Sequence, residues 1–592
     1  MTAHYAFAKS WGAELGPEGF TTFRLWAPSA ESIILEIEGQ PPTPMLREAG
    51  GWYSAVAPVG AGARYRYRLP EGLAVPDPAS RLQAADVHDS SVVVDPRSYS
   101  WHHAAWKGRP WHEAVIYELH AGAFGGIARH LHELKELGIT AVELMPIADF
   151  PGARNWGYDG VLHYAPDTAY GTPDALKALI DKAHGMGLMM LLDVVYNHFG
   201  PDGNYLHVYA KQFFDDSRRT PWGAAIDFRQ QPVCDYFIEN ALYWLREYRF
   251  DGLRFDAANA IGEPDFLDGM AAAIRKRIEP DRHVHLILEH GRNKASHLRR
   301  GFDAQWSDDA HHSLHVMLTG ESDGYYVDYP EPARLLARSL AEGFAFQGEV
   351  SRYYGGPRGE PSADLPSTAF VIYLQNHDQV GNRAFGERVT RLADAKALEA
   401  ATALILLAPF IPLLFMGEEW GSERPFLFFT DHNSDLAELV RQGRREEFRH
   451  FAAFADAGRR AQIPDPNDPA TFRASIPDFD AANESPHRER RALYRDLLAL
   501  RHRHITPRIP GCRSAGARAL GAAAVPAAWT MGDGARLTIA SNLGPGAVAI
   551  APPPDAMLFQ SDAGVADAAQ GGRLPGRSAV AFLAEESEDD AA

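Results

Sequence analysis

Apolar and polar positions follow two different rhythms along this chain. Up to residue 105 the apolar runs are short and keep period two: TTFRLWAP, SIILEIEG, GWYSAVAPV, ARYRYRL and SSVVVD, with Gly and Pro between them. Period two sends alternate side chains to opposite faces of a strand, so residues 1–105 are expected to form a small β-sandwich. From 106 to 505 the rhythm changes. Apolar runs of buried-strand length (AVIYELHAGAF, ITAVELMPI, LMMLLDVVYNH, FDGLRFDAA, VHLILEH, FDAQWSDD, TAFVIYLQNHD and IPLLFMGEEW) alternate with helix-period segments such as GIARHLHELKELG, TPDALKALIDKAHGMG and QPVCDYFIENALYWLREYR. Eight such units predict an α/β chain built on a (β/α)₈ TIM barrel, with RERRALYRDLLALRHRH as its last helix. A doubly wound open sheet is the alternative. A longer excursion from His198 to about Pro232 follows the third strand. Residues 506–592, rich in Ala, Gly and Pro with weak strand signals, predict a small C-terminal all-β domain.

Composition narrows the function. The 592 residues carry a formal net charge of -19, which argues against nucleic acid or an anionic membrane surface as partner and suits a neutral ligand. Two cysteines, Cys234 and Cys512, build neither a disulfide framework nor a cysteine zinc site. The N-terminal MTAHYAFAKSWGAELG lacks the basic-then-apolar pattern of a signal peptide. The most apolar run, ALILLAPFIPLLFMG, is broken by Pro409 and Pro412 and falls short of the about 20 residues a bilayer span needs. A cytoplasmic setting is the default expectation.

The predicted strands end in polar groups. The third ends Asp193-Val-Val-Tyr-Asn197-His198, the fourth Arg254-Phe-Asp256, the fifth Glu289-His290 and the seventh Asn376-His377-Asp378. Arg254 and Asp256 share one strand face; alone they read first as a structural ion pair, and only with partners elsewhere as a carboxylate held ionised for chemistry by its cation. In a TIM barrel such tips face one common site. Two carboxyl groups at one centre are what glycoside hydrolysis requires, and the apolar run before Glu289 suits a general acid. No metal and no cofactor is expected. Asn197 offers no convincing calcium ligand set, and His311, His312 and His315 lack the third ligand and base of a zinc site, so they are read as sugar-contacting or loop-packing.

The segments DVVYNH, GLRFDAA, LILEH and QNHDQ together resemble, in order and on the expected strands, the four signature segments of the α-amylase superfamily of glycoside hydrolases. FRLWAPSA near the N-terminus resembles the sandwich of members acting on branched or modified α-glucans. The resemblance implies Asp256 as nucleophile, Glu289 as acid/base and Asp378 as the residue gripping sugar hydroxyls. It further implies sugar contacts from Tyr158, His198, Arg254, Asn259, His377 and Asn382. Trp156 and Trp306 follow strand tips and are read as sugar-stacking on that position. Asp193 is as readily structural. The longer segments FDAQWSDDAHHSLHVMLTGESDGYY and GEEWGSERPFLFFTDH resemble the branch of the superfamily that cuts the α-1,4 bond next to the terminal trehalose of maltooligosyltrehalose. That makes Asp308, Asp309 and His312, with Trp420, Phe426, Phe428 and Phe429, candidate readers of the trehalose unit. Branching and debranching enzymes are the alternative. A sugar-binding or transport subunit without activity is disfavoured because all three carboxylates are present. LILEHGRN departs from the family pattern just after the acid, which leaves the subsite beside it open.

Overall fold

The computed structural model describes residues 3–585, apart from 221, 451–453, 455 and 554–555. Eight parallel strands form a closed barrel: Ile116–Leu119 (β1), Ala141–Leu144 (β2), Met189–Val194 (β3), Gly252–Phe255 (β4), His285–Leu288 (β5), Ala304–Trp306 (β6), Phe370–Tyr373 (β7) and Ile411–Phe415 (β8). Closure is direct, because β1 pairs with β8 through Ile116 opposite Leu413. This excludes the open doubly wound sheet. All eight strands fall inside the predicted apolar runs.

The barrel interior shows how period two builds a site. Ile116, Ala141 and Leu191 point inward and join Ile287, Val371 and Ile411 in a dry core. Two residues further along the same strands and face stand Glu118, Glu143 and Asp193. The inward face thus turns from aliphatic to charged toward the carboxyl ends of the strands, and Arg254 on β4 belongs to that charged layer. Helices cover the outside. Ile127–Leu137 buries Ile127, Leu131 and Leu134 at helical spacing, and Pro173–Gly185 opens with Thr172 as N-cap and proline in its first turn.

Two antiparallel sheets precede the barrel, of four and five strands, with Trp11, Phe23, Leu35, Tyr53 and Tyr65 in their buried core. A five-stranded antiparallel sheet follows it, between Arg513 and Ala584, and carries one short helix, Val565–Gln570. The excursion after β3 forms a hairpin, Phe214–Thr220 with Gly223–Ile226. Among the described residues no helix is long and apolar enough to cross a membrane.

Candidate active site

Arg254 organises the site. It is wholly buried, and its guanidinium lies 4.2 Å from the centre of the Trp306 ring. Its Nη1 donates to Asp193 Oδ2 at 2.6 Å and to Asp256 Oδ1 at 2.8 Å, and its Nη2 to Glu289 Oε2 at 2.9 Å. One cation therefore serves three carboxyl groups from the ends of β3, β4 and β5. Immediately after Asp256 the chain turns through Ala257, a non-glycine residue with φ +39°. This conformation, costly for an L side chain, aims the Ala257 N–H at Glu289 Oε2 at 2.8 Å. Each carboxyl is held by one oxygen only: no described residue donates to Asp256 Oδ2 or to Glu289 Oε1.

Burial and Arg254 act on Asp256 in opposite directions. Burial pushes the Asp256 pKa well above the ordinary carboxylate range, and Arg254 opposes it without prevailing. The charge of Arg254 is divided among three acids, while Glu289, Asp193 and Asp378 each add repulsion. The charge on Asp256 is therefore set by the whole group of neighbours and not by Arg254 alone.

Asp378 follows β7 at the start of a short helix, His377–Gly381, capped by Asn376 through the amides of Asp378 and Gln379. Asn382 Nδ2 donates to Asp378 Oδ1 at 3.1 Å. Beside it His377 places Nδ1 2.5 Å from Glu118 and Nε2 2.8 Å from Tyr158 Oη. Burial alone would discharge this imidazole, but Asp378 and Glu118 outweigh it and raise the pKa to about 9. Tyr158 stacks on His377 at 5.2 Å and donates to Asp193 at 2.6 Å. Its loop turns at Gly157, where φ is +100° and a Cβ would collide with the Pro146 carbonyl. Asp193 thus anchors both Arg254 and Tyr158, a central structural part. Asn259 is exposed beside the nucleophile turn, and its Oδ1 accepts from Gly291 N at 3.2 Å.

Several expected sugar contacts do not face the site openly. His198 is buried, with Nδ1 2.9 Å from the Asn197 side chain and Nε2 2.9 Å from the Tyr158 carbonyl, so both nitrogens are engaged by protein. Asp309 is fully buried, accepts from Tyr329, Asn293, Ala345 and Phe346 and pairs with Arg358, which leaves it nothing with which to read a substrate. His312 is buried between Tyr325 and Tyr329, and His311 and His315 pack on Tyr373 and Tyr326. Trp156 stacks on Phe426, and Phe426, Phe429 and Trp420 lie in the core. Trp156 and Trp306 are buried as well, so neither presents a stacking face. Asp308 and Phe428 remain partly open; Asp308 Oδ1 accepts from Tyr373 Oη at 2.7 Å, and its pKa is pushed up to about 6 by burial and by Glu289.

The sequence reading missed three features. Glu118 positions His377. Glu143, in register with Glu118, has both oxygens buried without a partner, and burial followed by Glu118 and Asp193 drives its pKa well up. The period-two inward face predicts both residues once the barrel is accepted. Trp222, at the tip of the hairpin after β3, is 47% exposed and stacks on His198 at 4.2 Å; no local signal distinguishes it from an ordinary loop tryptophan.

Comparison with known proteins agrees with this geometry. The model of the alpha amylase catalytic domain matches residues 98–240, and that of a domain of unknown function (DUF3459) matches 512–581. The malto-oligosyltrehalose trehalohydrolase of Deinococcus radiodurans is 40% identical over 499 residues, 81% of this chain and 81% of its own length. The protein of the same name from Saccharolobus solfataricus is 38% identical over 485 residues, 79% of this chain and 83% of its own. A crystal structure of a Salmonella typhimurium protein assigned to the alpha amylases superposes with a TM-score of 0.91 at 42% identity, covering 98% of this chain and 100% of that one. With such identity across four fifths of both sequences, and the same barrel beneath it, the chain belongs to the malto-oligosyltrehalose trehalohydrolase family of alpha-amylase-type glycoside hydrolases.

Proposed function

We propose that the chain hydrolyses the α-1,4-glucosidic bond next to the terminal trehalose of maltooligosyltrehalose, with retention of configuration, and releases trehalose. The observation that carries the chemistry is the forked grip of Arg254 on Asp256 and Glu289. Two acceptors on one guanidinium lie side by side, which supports the about 5–5.5 Å carboxyl spacing of a retaining enzyme over the about 6.5–9.5 Å of an inverting one. Asp256 Oδ2 attacks the anomeric carbon while Glu289 Oε1 gives its proton to the departing glycosidic oxygen. The bond to trehalose breaks and a glycosyl ester forms on Asp256. Glu289, now a carboxylate, takes a proton from water; the water oxygen attacks the anomeric carbon, the ester breaks and Asp256 is restored.

The fork explains why the cycle needs no moving cation. Before attack the negative charge sits on the Asp256 branch, and after esterification on the Glu289 branch. Arg254 touches both throughout, so its stabilisation is already in place when charge shifts. Asp378, steadied by Asn382, meets the hydroxyls of the sugar being attacked. Tyr158 with His377 forms the wall beside it.

The substrate assignment rests on the names of the relatives and on the resemblance of the segments after β6 and β8. Sheets confined to 12–92, 116–415 and 513–584 support domains at 1–105, 106–505 and 506–592. Two free cysteines suit a reducing cytoplasm and a role in trehalose biosynthesis there. The test is product analysis on maltooligosyltrehalose and on a maltooligosaccharide of equal length. Free trehalose should appear with far higher kcat/KM than any product of the plain chain. Equal rates, or α-1,6 branches formed in amylose, would overturn the assignment in favour of a branching or debranching enzyme.

A further inference from the structure

We propose that Arg292 is a specificity-determining residue whose guanidinium, laid on the ring of Tyr354, donates hydrogen bonds to hydroxyls of the departing trehalose unit. This rests on the reading above and names a part of the site that LILEHGRN left open. Arg292 lies three residues beyond Glu289, on the loop that carries the acid. The acid protonates the oxygen of the leaving group, so its own loop borders the leaving side of the cleavage point.

The backbone there is fixed from behind. Buried Arg358 donates to the Gly291 carbonyl at 2.8 Å while holding Asp309 at 3.0 Å. Gly359 N donates to the Arg292 carbonyl at 3.0 Å, and Arg292 N reaches His290 Nδ1 at 3.3 Å. Tyr354 is set by Ser351 Oγ, itself held by Asp328, and its hydroxyl lies so close over Gly291 that any Cβ there would strike it. The loop of the acid and the hairpin of Tyr354 therefore meet as one rigid wall.

The side-chain donors on that wall are unspent. The Arg292 guanidinium lies 4.0 Å from the Tyr354 ring centre, is partly exposed, and has no carboxylate partner among the described residues. The Tyr354 hydroxyl donates to no described residue, and Asn259, next to Gly291, uses its Oδ1 and keeps its Nδ2 free. A cation without a counter-charge, in a chain of net charge -19, is placed for a neutral ligand rich in acceptor oxygens. Trehalose is such a ligand: it has hydroxyls on both rings and no reducing end. Stacking on tyrosine limits the rotamers Arg292 samples, so less entropy is lost when its planar donors engage.

The test compares Arg292→Ala with wild type on maltooligosyltrehalose and on a maltooligosaccharide of equal length, together with inhibition by free trehalose. Loss of hydrogen bonds from a charged donor is expected to lower kcat/KM on the trehalose-terminated substrate by roughly 10- to 100-fold and to raise the trehalose inhibition constant by a similar factor. Turnover of the plain chain should stay within about threefold of wild type, which also reports that the acid and the fold are intact. An unchanged preference and inhibition constant in the variant overturns the role of Arg292 while leaving the function standing. A wild-type enzyme with no preference at all overturns the function itself.

Discussion

Asp256 and Asp309 are both buried aspartates beside a buried arginine, yet they are opposites. Asp309 accepts from four donors and also pairs with Arg358, so both its oxygens are spent. Among the described residues the Asp256 carboxyl has one hydrogen-bond partner, Arg254, shared with Asp193 and Glu289. A saturated buried carboxylate is satisfied and inert; it holds loops together. An undersatisfied one is unstable where it sits and ready to bond to an electrophile. Both are buried, Asp309 more deeply, and the hydrogen-bond inventory decides the role.

The sharpest way to break this comparison is to neutralise each aspartate. Asp256→Asn should lower kcat by at least the roughly 10²–10⁴-fold of a lost catalytic group, and Glu289→Gln by a similar factor. The melting temperature of Asp256→Asn should equal or exceed wild type, because an acid whose pKa burial raises is a liability to the fold at neutral pH. Asp309→Ala should do the reverse. It strands Arg358 and frees the amides of Ala345 and Phe346, at a cost of about 3–5 kcal/mol in stability, while the molecules that fold keep turning over. Thermal unfolding and activity per folded molecule check both halves. A stable, inactive Asp309→Ala would erase the distinction.

The same contrast marks what was legible in the sequence. The eight strands were readable because buried parallel strands must be apolar runs of fixed length, and the three carboxylates because they end such runs. The fate of Asp309 was not readable. Its four donors and its cation come from residues 293, 329, 345, 346 and 358, scattered through loops whose meeting no local pattern announces. Phe426 and Phe429 follow a strand tip as a sugar platform would, but Trp156 and His120 reach over from other loops and close them into the core. Glu118 and Glu143 were in principle readable, two residues beyond inward aliphatics on β1 and β2, once those strands are known to line a barrel.

A third carboxyl tests the comparison away from the reaction centre. Glu419, after β8, is buried, and among the described residues its side chain accepts from Tyr117 Oη, at 3.0 and 3.1 Å to its two oxygens. Burial raises its pKa from 4.5 to about 7. The unfolded chain gives up this proton first as pH rises. The stability contributed by the neutral group is therefore complete below pH 4.5 and is lost as pH climbs through about 7. Glu419→Gln cannot ionise, so its stability relative to wild type should increase between about pH 5 and about pH 8, by on the order of 3 kcal/mol. Denaturant unfolding of both proteins across that range gives the answer; a difference independent of pH would mean Glu419 is already ionised in the fold.

The smallest expected effect separates Asp308 from its neighbour Asp309. The two are adjacent in sequence, but among the described residues Asp308 accepts from one side chain, Tyr373, and it stays partly exposed within the electrostatic reach of Glu289. By the logic that divides Asp256 from Asp309, its unused oxygen belongs to a ligand. The bond cleaved is the same α-1,4 linkage in either substrate, so a residue that reads the leaving group should alter selectivity more than rate. Asp308→Ala is expected to narrow the preference for maltooligosyltrehalose over an equally long maltooligosaccharide by about tenfold, the price of one polar contact to a bound sugar, with turnover of the plain chain within about threefold. Tyr373→Phe, which removes the one protein donor but leaves the carboxylate, should narrow the preference less. If both variants keep the wild-type preference, Asp308 reads nothing and serves, like Asp309, to hold the loop after β6.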